Sequence, residues 1–340
     1  MKRIAVLTSG GDAPGMNACI RSVVLTALHF GYQVYGFRHG YNGLVDNEIE
    51  LLTMQQVRHI IQKGGTLLKS ARCSKFKTES GIKLAAKHLD AAEIDALIVI
   101  GGDGSLRGMM HLSKYWQGQL IGIPGTIDND LSGSDNTIGF QTATETVIDA
   151  IDKLRDTADA FERIFMVEVM GRDAGFIALS SGIASGAEQI IYPEGLKDIH
   201  QELDCIIQHV ESARKLHGRS SYIIVISENL WPGGAYDLSQ VLTEQIGIEC
   251  RPVILGHIQR GGCPNGFDRI LATKLGVFAV EAIKNGHSLM MVGEISNELT
   301  LTAISDCVNN KKPVDKKLSD IQAKVFDSVE ILSNCTKSTI

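Results

Sequence analysis

Six short loops in this 340-residue chain gather the side chains whose types and spacing could do chemistry. The first, Gly10-Gly11-Asp12-Ala13-Pro14-Gly15, follows the apolar run Ile4–Leu7. Adjacent glycines after a strand let backbone N–H groups approach phosphate oxygens, although a tight structural turn is the alternative and the spacing is neither a Walker loop nor G-x-G-x-x-G. The second, Gly101-Gly102-Asp103-Gly104-Ser105, follows Ala96–Ile100. Three glycines around one carboxylate leave room for a triphosphate, and Asp103 can hold Mg²⁺ directly or through water. Ser105 can cap the next helix or donate to a phosphate; a turn in which Asp103 only caps that helix is the alternative. The third, Pro124-Gly125-Thr126-Ile127-Asp128-Asn129-Asp130, sets two carboxylates two residues apart beside a hydroxyl. Phosphoryl transfer to an alcohol needs a base near the hydroxyl, a role open to Asp128, while Asp130 could help a metal or hold the loop. A solvated Asx-turn is the bland reading of the same residues.

Three further loops carry cations or a carboxylate. In Met170-Gly171-Arg172-Asp173-Ala174-Gly175, an arginine behind a glycine suits the charge on a transferring phosphoryl, or forms a surface ion pair. Glu228 stands before Asn229-Leu230-Trp231-Pro232-Gly233-Gly234 and could accept sugar hydroxyls or be a solvated loop residue. Arg251, His257 and Arg260 lie within ten positions around Gly256-His257-Ile258-Gln259-Arg260-Gly261-Gly262 and suit a phosphate monoester, with a structural histidine as the alternative for His257. Taken together, a glycine cradle, a metal carboxylate, a paired-Asp loop and two arginine sites are the parts needed to move a phosphoryl group from a nucleotide to a phosphorylated alcohol.

The elements that must position these loops are legible as apolar runs: Ile4–Leu7, Ala96–Ile100, Leu120–Ile123, Ile164–Met170, Tyr222–Ile226 and Val253–Leu255. They are near-continuous rather than alternating, as buried parallel strands are. Between them lie amphipathic stretches such as 140–156, with apolar residues at Phe140, Ala143, Val147, Ile151 and Leu154. Strand–helix alternation predicts an α/β fold with largely parallel sheets flanked by helices, and ligands in such sheets bind beyond the carboxyl ends of the strands. After Pro313, a weaker helical pattern runs through Leu318, Ile321, Val325 and Val329.

Composition narrows the function class. A net charge of −6 and the lack of a basic stripe argue against nucleic acid as partner, so any phosphate must be held by local arginines and helix N-termini. The 35 glycines, about half again the average usage of roughly 7%, cluster at strand ends. Seven scattered cysteines without a C-x-x-C pair predict reduced thiols in a reducing compartment. No run approaches the ~18 apolar residues of a membrane span, and a cytoplasmic location is expected.

In order and combination, "TSGGDAPGMNA", "GGDGS", "PGTIDND", "VEVMGRDAG" and "LGHIQRGG" resemble the bacterial, ATP-dependent 6-phosphofructokinase family from Ile4 to about Ala282. The resemblance implies MgATP and fructose 6-phosphate as substrates. Gly11, Arg72, Cys73, Gly102, Asp103, Gly104, Ser105 and Gly108 would line the nucleotide, with Asp103 on Mg²⁺. Asp128 would be the base beside Thr126 and Ile127, and Arg172 would stabilise the moving phosphoryl. Met170, Gly171, Glu228, His257, Ile258, Gln259 and Arg260 would bind the sugar phosphate, while Arg163 and Arg251 would reach a neighbour's site in a homotetramer. Two lobes are implied, with the site in the cleft between them: residues 1–139 and 257–310 for ATP, and 140–256 and 311–340 for the sugar phosphate.

Pyrophosphate-using relatives carry Asp where this chain has Gly104 and Lys where it has Gly125, so the glycines favour ATP. At the effector site Arg21, Arg155, Gly186, Glu188 and Arg219 follow the family pattern. Leu25, Met54, Ser220 and Ser221 replace its expected basic residues, so weakened or altered control by ADP and phosphoenolpyruvate is expected. Two rivals share parts of the pattern. A lipid or NAD kinase has "GGDG" but no need for Asp128, Asp130, His257 and Arg260 together; a nucleotide-sensing subunit without turnover would have lost Asp103 or Asp128.

Overall fold

The computed structural model describes residues 1–161, 163–196, 198–217 and 221–326. The chain forms two units, Met1–Ala143 with Arg260–Lys312, and Thr144–Gln259 with Pro313–Ile340. The crossings lie three or four residues beyond the two expected near Phe140 and Gly256. His257, Ile258 and Gln259 therefore fall in the second unit, and Arg260 in the first.

Five strands precede the first crossing: β1 (Arg3–Ser9), β2 (Gln33–Phe37), β3 (Ile49–Leu51), β4 (Ala96–Gly101) and β5 (Gln119–Pro124). The second unit contributes β6 (Ile164–Val169), β7 (Gln189–Ile191), β8 (Tyr222–Ser227) and β9 (Cys250–Ile254), and the return adds β10 (Met290–Ile295) and β11 (Glu298–Ala303). All six apolar runs of the sequence fall on strands, with Met170 and Leu255 just beyond the ends of β6 and β9.

The first unit's sheet has the order β11-β10-β5-β4-β1-β2-β3. Its centre is parallel, and its two edges, β3 on β2 and β11 on β10, are antiparallel. β4 is buried along its whole length, as a strand covered on both faces must be. Leu7, Leu97 and Val99 from the sheet pack with Leu106 and Met109 from the helix Asp103–Leu112. β1 lies between β2 and β4, so the chain's winding reverses there. Such a switch point opens a crevice at the strands' carboxyl ends, which is where Gly10-Gly11 and Gly102–Ser105 emerge.

The second unit's sheet, β7-β8-β6-β9, is parallel throughout, with Ile164, Met166, Ile224 and Ile226 packed against Leu238 and Leu242 of the helix Gly234–Ile246. β9 corrects one expectation. It is an edge strand rather than a buried one, with Arg251 exposed and Pro252 placed where an edge tolerates a missing N–H. The tail forms the helix Lys316–Phe326, held by Tyr192 Oη on Ser319 Oγ (2.7 Å) and by Gln322 Nε2 donating to the Ile190 carbonyl; Val329 lies outside the described residues.

Candidate functional site

In the first unit, β4 delivers Gly102 and the helix Asp103–Leu112. Asp103 is the first residue of that helix, at its positive end, where a carboxylate or a phosphate is favoured. Its Oδ1 accepts from Arg107 Nε at 2.8 Å, one turn on. A β-carbon at position 104 would meet no atom within 4 Å, so the space expected beside Asp103 is open. Ser105 does not cap the helix: it is buried in the third helical position and donates to the Ser9 carbonyl at 3.0 Å. The hydroxyl thereby pins the Asp103 helix to the end of β1.

Gly108 is buried, and a β-carbon there would stand 2.9 Å from the Tyr41 ring. Tyr41 stacks on Phe76 with ring centroids 4.0 Å apart and donates to the Ser105 carbonyl at 2.7 Å. Burial raises its phenol pKa above the ordinary range. Sequence reading missed this aromatic pair, because neither ring lies in a loop that follows one of the six apolar runs; the bulk of Tyr41 between Gly40 and Gly43 could have marked it. Arg72 is exposed, and Cys73 is half-buried with its Sγ accepting the Phe76 N–H at 3.3 Å.

The end of β5 delivers the paired-carboxylate loop. Gly101 and Pro124 are register partners, and a β-carbon at Gly102 would lie 3.5 Å from Thr126 Cβ, so the Asp103 and Asp128 loops abut. Thr126, Asp128 and Asn129 are all buried. The Asp128 N–H donates to Thr126 Oγ1 at 3.2 Å, and Thr137 Oγ1 donates to the Thr126 carbonyl. Asn129 takes a left-handed φ of 54°, its Oδ1 accepts the Thr137 N–H at 3.0 Å, and its Nδ2 donates to the Asp135 carbonyl. The loop is therefore a braced turn, not a solvated one. Ile127 is fully buried inside it. A β-carbon at Gly125 would meet Ile100 Cγ2 at 2.8 Å and Met16 Cε at 3.3 Å, so position 125 is closed where 104 is open.

Arg260 lies on the first glycine loop. Its Nη1 donates to the Asp12 carbonyl at 3.1 Å, and a β-carbon at Gly11 would fall 2.4 Å from the same nitrogen. Gly11 is therefore small because a guanidinium occupies the adjoining space.

In the second unit, β6 ends at Met170-Gly171-Arg172. Gly171 has φ 145° and Arg172 φ 59°, a sharp turn that orients two amides the same way. Glu228, at the end of β8, accepts from both: Gly171 N at 3.3 Å and Arg172 N at 2.8 Å through Oε1. The carboxylate is a brace for the arginine turn rather than a solvated residue. The Arg172 guanidinium is well exposed, 3.6 Å from Asp173. Gln259 is fully buried and uses its amide on the Met170 N–H (3.2 Å) and the Gly256 carbonyl (3.0 Å), so its side chain braces the two loops. His257 and Ile258 are exposed on the 3₁₀ turn Gly256–Arg260.

Arg163 and Arg251 meet on one carboxylate, Glu249, at 3.2 and 2.7 Å. The Arg251 hydrogen bond and the charges of Arg251 and Arg163 hold that carboxyl below its ordinary range. Among the effector candidates, Arg155 pairs with Glu188 and donates to the Gly186 carbonyl at 2.9 Å. Glu188 in turn accepts the Ile223 N–H. Arg21 is in the first unit with a buried Nε that has no hydrogen-bond partner. Leu25 is half-buried and Met54 exposed, while Arg219 and Ser220 lie outside the described residues.

Among the described residues, no helix is long and apolar enough to cross a membrane, and no group of three or more His, Cys, Asp or Glu could hold a metal unaided. Six cysteines are free thiols, and Cys335 lies outside the described residues.

The family profile described as Phosphofructokinase matches residues 3–283. The chain is 48% identical over 318 residues to the ATP-dependent 6-phosphofructokinase 1 of Thermus thermophilus, covering 94% of this chain and 97% of that one. It is 49% identical over 328 residues to the ATP-dependent 6-phosphofructokinase of Clostridium novyi, covering 96% and 99%. Phosphofructokinase from Saccharomyces cerevisiae has a TM-score of 0.85 at 34% identity over 97% of this chain, which spans 48% of the yeast chain. A pyrophosphate-dependent phosphofructokinase from Marinobacter aquaeolei has a TM-score of 0.83 at 20% identity over 97% and 91% of the two chains, a likeness of fold alone.

Proposed function

The chain belongs to the phosphofructokinase family, and from that membership we propose that it transfers the γ-phosphoryl of ATP to the 1-hydroxyl of fructose 6-phosphate, giving fructose 1,6-bisphosphate and ADP. The observation that carries the reading furthest is the contact of the two carboxylate loops at Gly102 and Thr126, with open space at Gly104 beside them. One phosphoryl group could span loops so close.

Asp128 acts as general base. It is 8% exposed, its loop is braced through Thr126, Asn129 and Thr137, and it takes the 1-hydroxyl proton as that oxygen forms its bond to the γ-phosphorus and the bond to the β-phosphate oxygen breaks. The N-terminus of the helix that Asp103 opens receives the phosphates. Arg172 meets the charge on the moving phosphoryl, and Glu228 fixes its backbone. His257, Arg260 and the Met170-Gly171 turn hold the sugar phosphate.

The donor set at Asp103 fits Mg²⁺, which commonly takes one or two carboxylates and completes its shell with substrate phosphates and water. When bound, the ion neutralises charge between the β- and γ-phosphates. A homotetramer belongs to the same reading. Arg163 and Arg251, turned onto Glu249 in this chain, are the side chains that would complete a neighbour's site. At the effector site Arg155 is already committed to Glu188 and Gly186, which supports weak control by ADP and phosphoenolpyruvate. The cytoplasm is the expected setting.

A coupled assay with fructose 6-phosphate and either ATP or pyrophosphate tests donor and acceptor together and separates the lipid-kinase, NAD-kinase and non-catalytic alternatives. Asp128→Ser should lower kcat by about three orders of magnitude or more while both KM values move little. A merely twofold loss would remove Asp128 as the base.

A further inference from the structure

The segment Val308–Lys312 closes the first unit before the chain leaves it at Pro313, and it runs behind both carboxylate loops. Arg107, whose Nε donates to Asp103, donates through Nη2 to the Val308 carbonyl. Ser132 Oγ donates to the Asn310 carbonyl at 3.0 Å, and Leu131 and Lys311 form an isolated antiparallel bridge. Lys312 Nζ donates to Asn129 Oδ1 at 3.0 Å and to the Asp135 carbonyl at 2.6 Å. Both acceptors matter. Asn129 is the left-handed residue between Asp128 and Asp130, its Oδ1 also receives the Thr137 N–H, and its Nδ2 reaches the same Asp135 carbonyl. One ammonium thus ties the two acceptors that hold the turn.

We propose that Lys312 is a positioning residue for phosphoryl transfer, its ammonium fixing the Asn129 turn and so the direction in which Asp128 points. The inference rests on Asp128 being the base. A purely structural role is disfavoured by the cost of the group. Burial lowers the Lys312 pKa to about 8, against the attraction of Asp135 and Asp130, so the charged form is held at the expense of stability. A fold that needed only to fill this space would be served better by an apolar side chain of the same length.

The test compares Lys312→Met with Lys311→Met, whose side chain is exposed. The expected result for Lys312→Met is a fall in kcat of about tenfold or more, with both KM values within about threefold and an unchanged or higher Tm. Hydrogen exchange at the amides of residues 127–137 should quicken in Lys312→Met alone. An unchanged kcat overturns the proposal, as does a loss of kcat accompanied by a fall in Tm or a failure to fold, because the reasoning requires that stability not suffer. Asp128→Ser, run in parallel, separates the two levels. If that variant keeps its turnover, the base assignment has failed; if it loses turnover while Lys312→Met does not, only the role of Lys312 has failed.

Discussion

Replacing Gly104 by Asp should leave the fold intact and damage ATP use. A β-carbon at 104 has no atom within 4 Å, and the position is the second residue of the helix Asp103–Leu112, where an added carboxylate is favoured by about 0.3–1 kcal/mol. Stability should therefore hold or rise slightly. The same carboxylate would face a nucleotide phosphate seated at that helix end. Two unit charges about 6 Å apart repel by about 2–3 kcal/mol at an effective dielectric constant near 20. That corresponds to a rise of roughly 30- to 150-fold in the KM for ATP, if binding energy is lost uniformly. The assay is steady-state phosphorylation of fructose 6-phosphate at varied ATP, beside a thermal melt of the same samples. A KM for ATP within about threefold of the unmodified chain would refute the placement of the phosphates. A large fall in Tm would refute the claim that the space is open.

Gly125→Lys should behave in the opposite way: its β-carbon lands among Ile100 and Met16, so overpacking costs about 1–3 kcal/mol and the melt should shift downward. Gly11→Ala displaces the Arg260 guanidinium, the mobile end of a side chain, so Tm should stay within about 2 °C while kcat/KM for fructose 6-phosphate falls about tenfold. Asp268 is fully buried and accepts from Gly139 N, Thr142 N and Thr142 Oγ1 at the start of the helix Phe140–Phe161. Asp268→Ala strands those donors and should cost about 3–5 kcal/mol in denaturant unfolding; a loss below about 1 kcal/mol would contradict the bracing role. For Lys312, with a folded pKa of about 8 against an ordinary 10.5, the unfolded chain binds more protons between those values. Stability relative to Lys312→Met should therefore rise as pH goes from 7 to 10, by up to about 3 kcal/mol; a flat difference would show that the ammonium is not held at a cost.

The central strands and their loops were legible because burial on both faces forces near-continuous apolar runs, and because close neighbours at Gly11, Gly108 and Gly125 leave no room for a side chain. The edges were not. β10 and β11 join through Ser296-Asn297, both at positive φ, a hairpin geometry usually flagged by glycine and here made without it. Ser105 was misjudged because a hydroxyl near a helix start suggests a cap, whereas burial turned it onto the Ser9 carbonyl. Gln259 sits among exposed candidates in sequence, and only the folded chain shows that its amide is spent internally. Lys312 and Asn129 stand 183 positions apart, so no local pattern could pair them.

The split of the first unit across the chain has a consequence for synthesis. When β1 to β5 have emerged, the far edge of β5 has no neighbour, since β10 is not made until the whole stretch Thr144–Gln259 has been translated. An unpaired strand edge invites pairing with other chains. Nascent protein should thus pass through an interval in which the intervening segment can fold while the earlier sheet waits, open on one side, for its last two strands. Chaperone dependence should be concentrated between translation of residue 124 and residue 303.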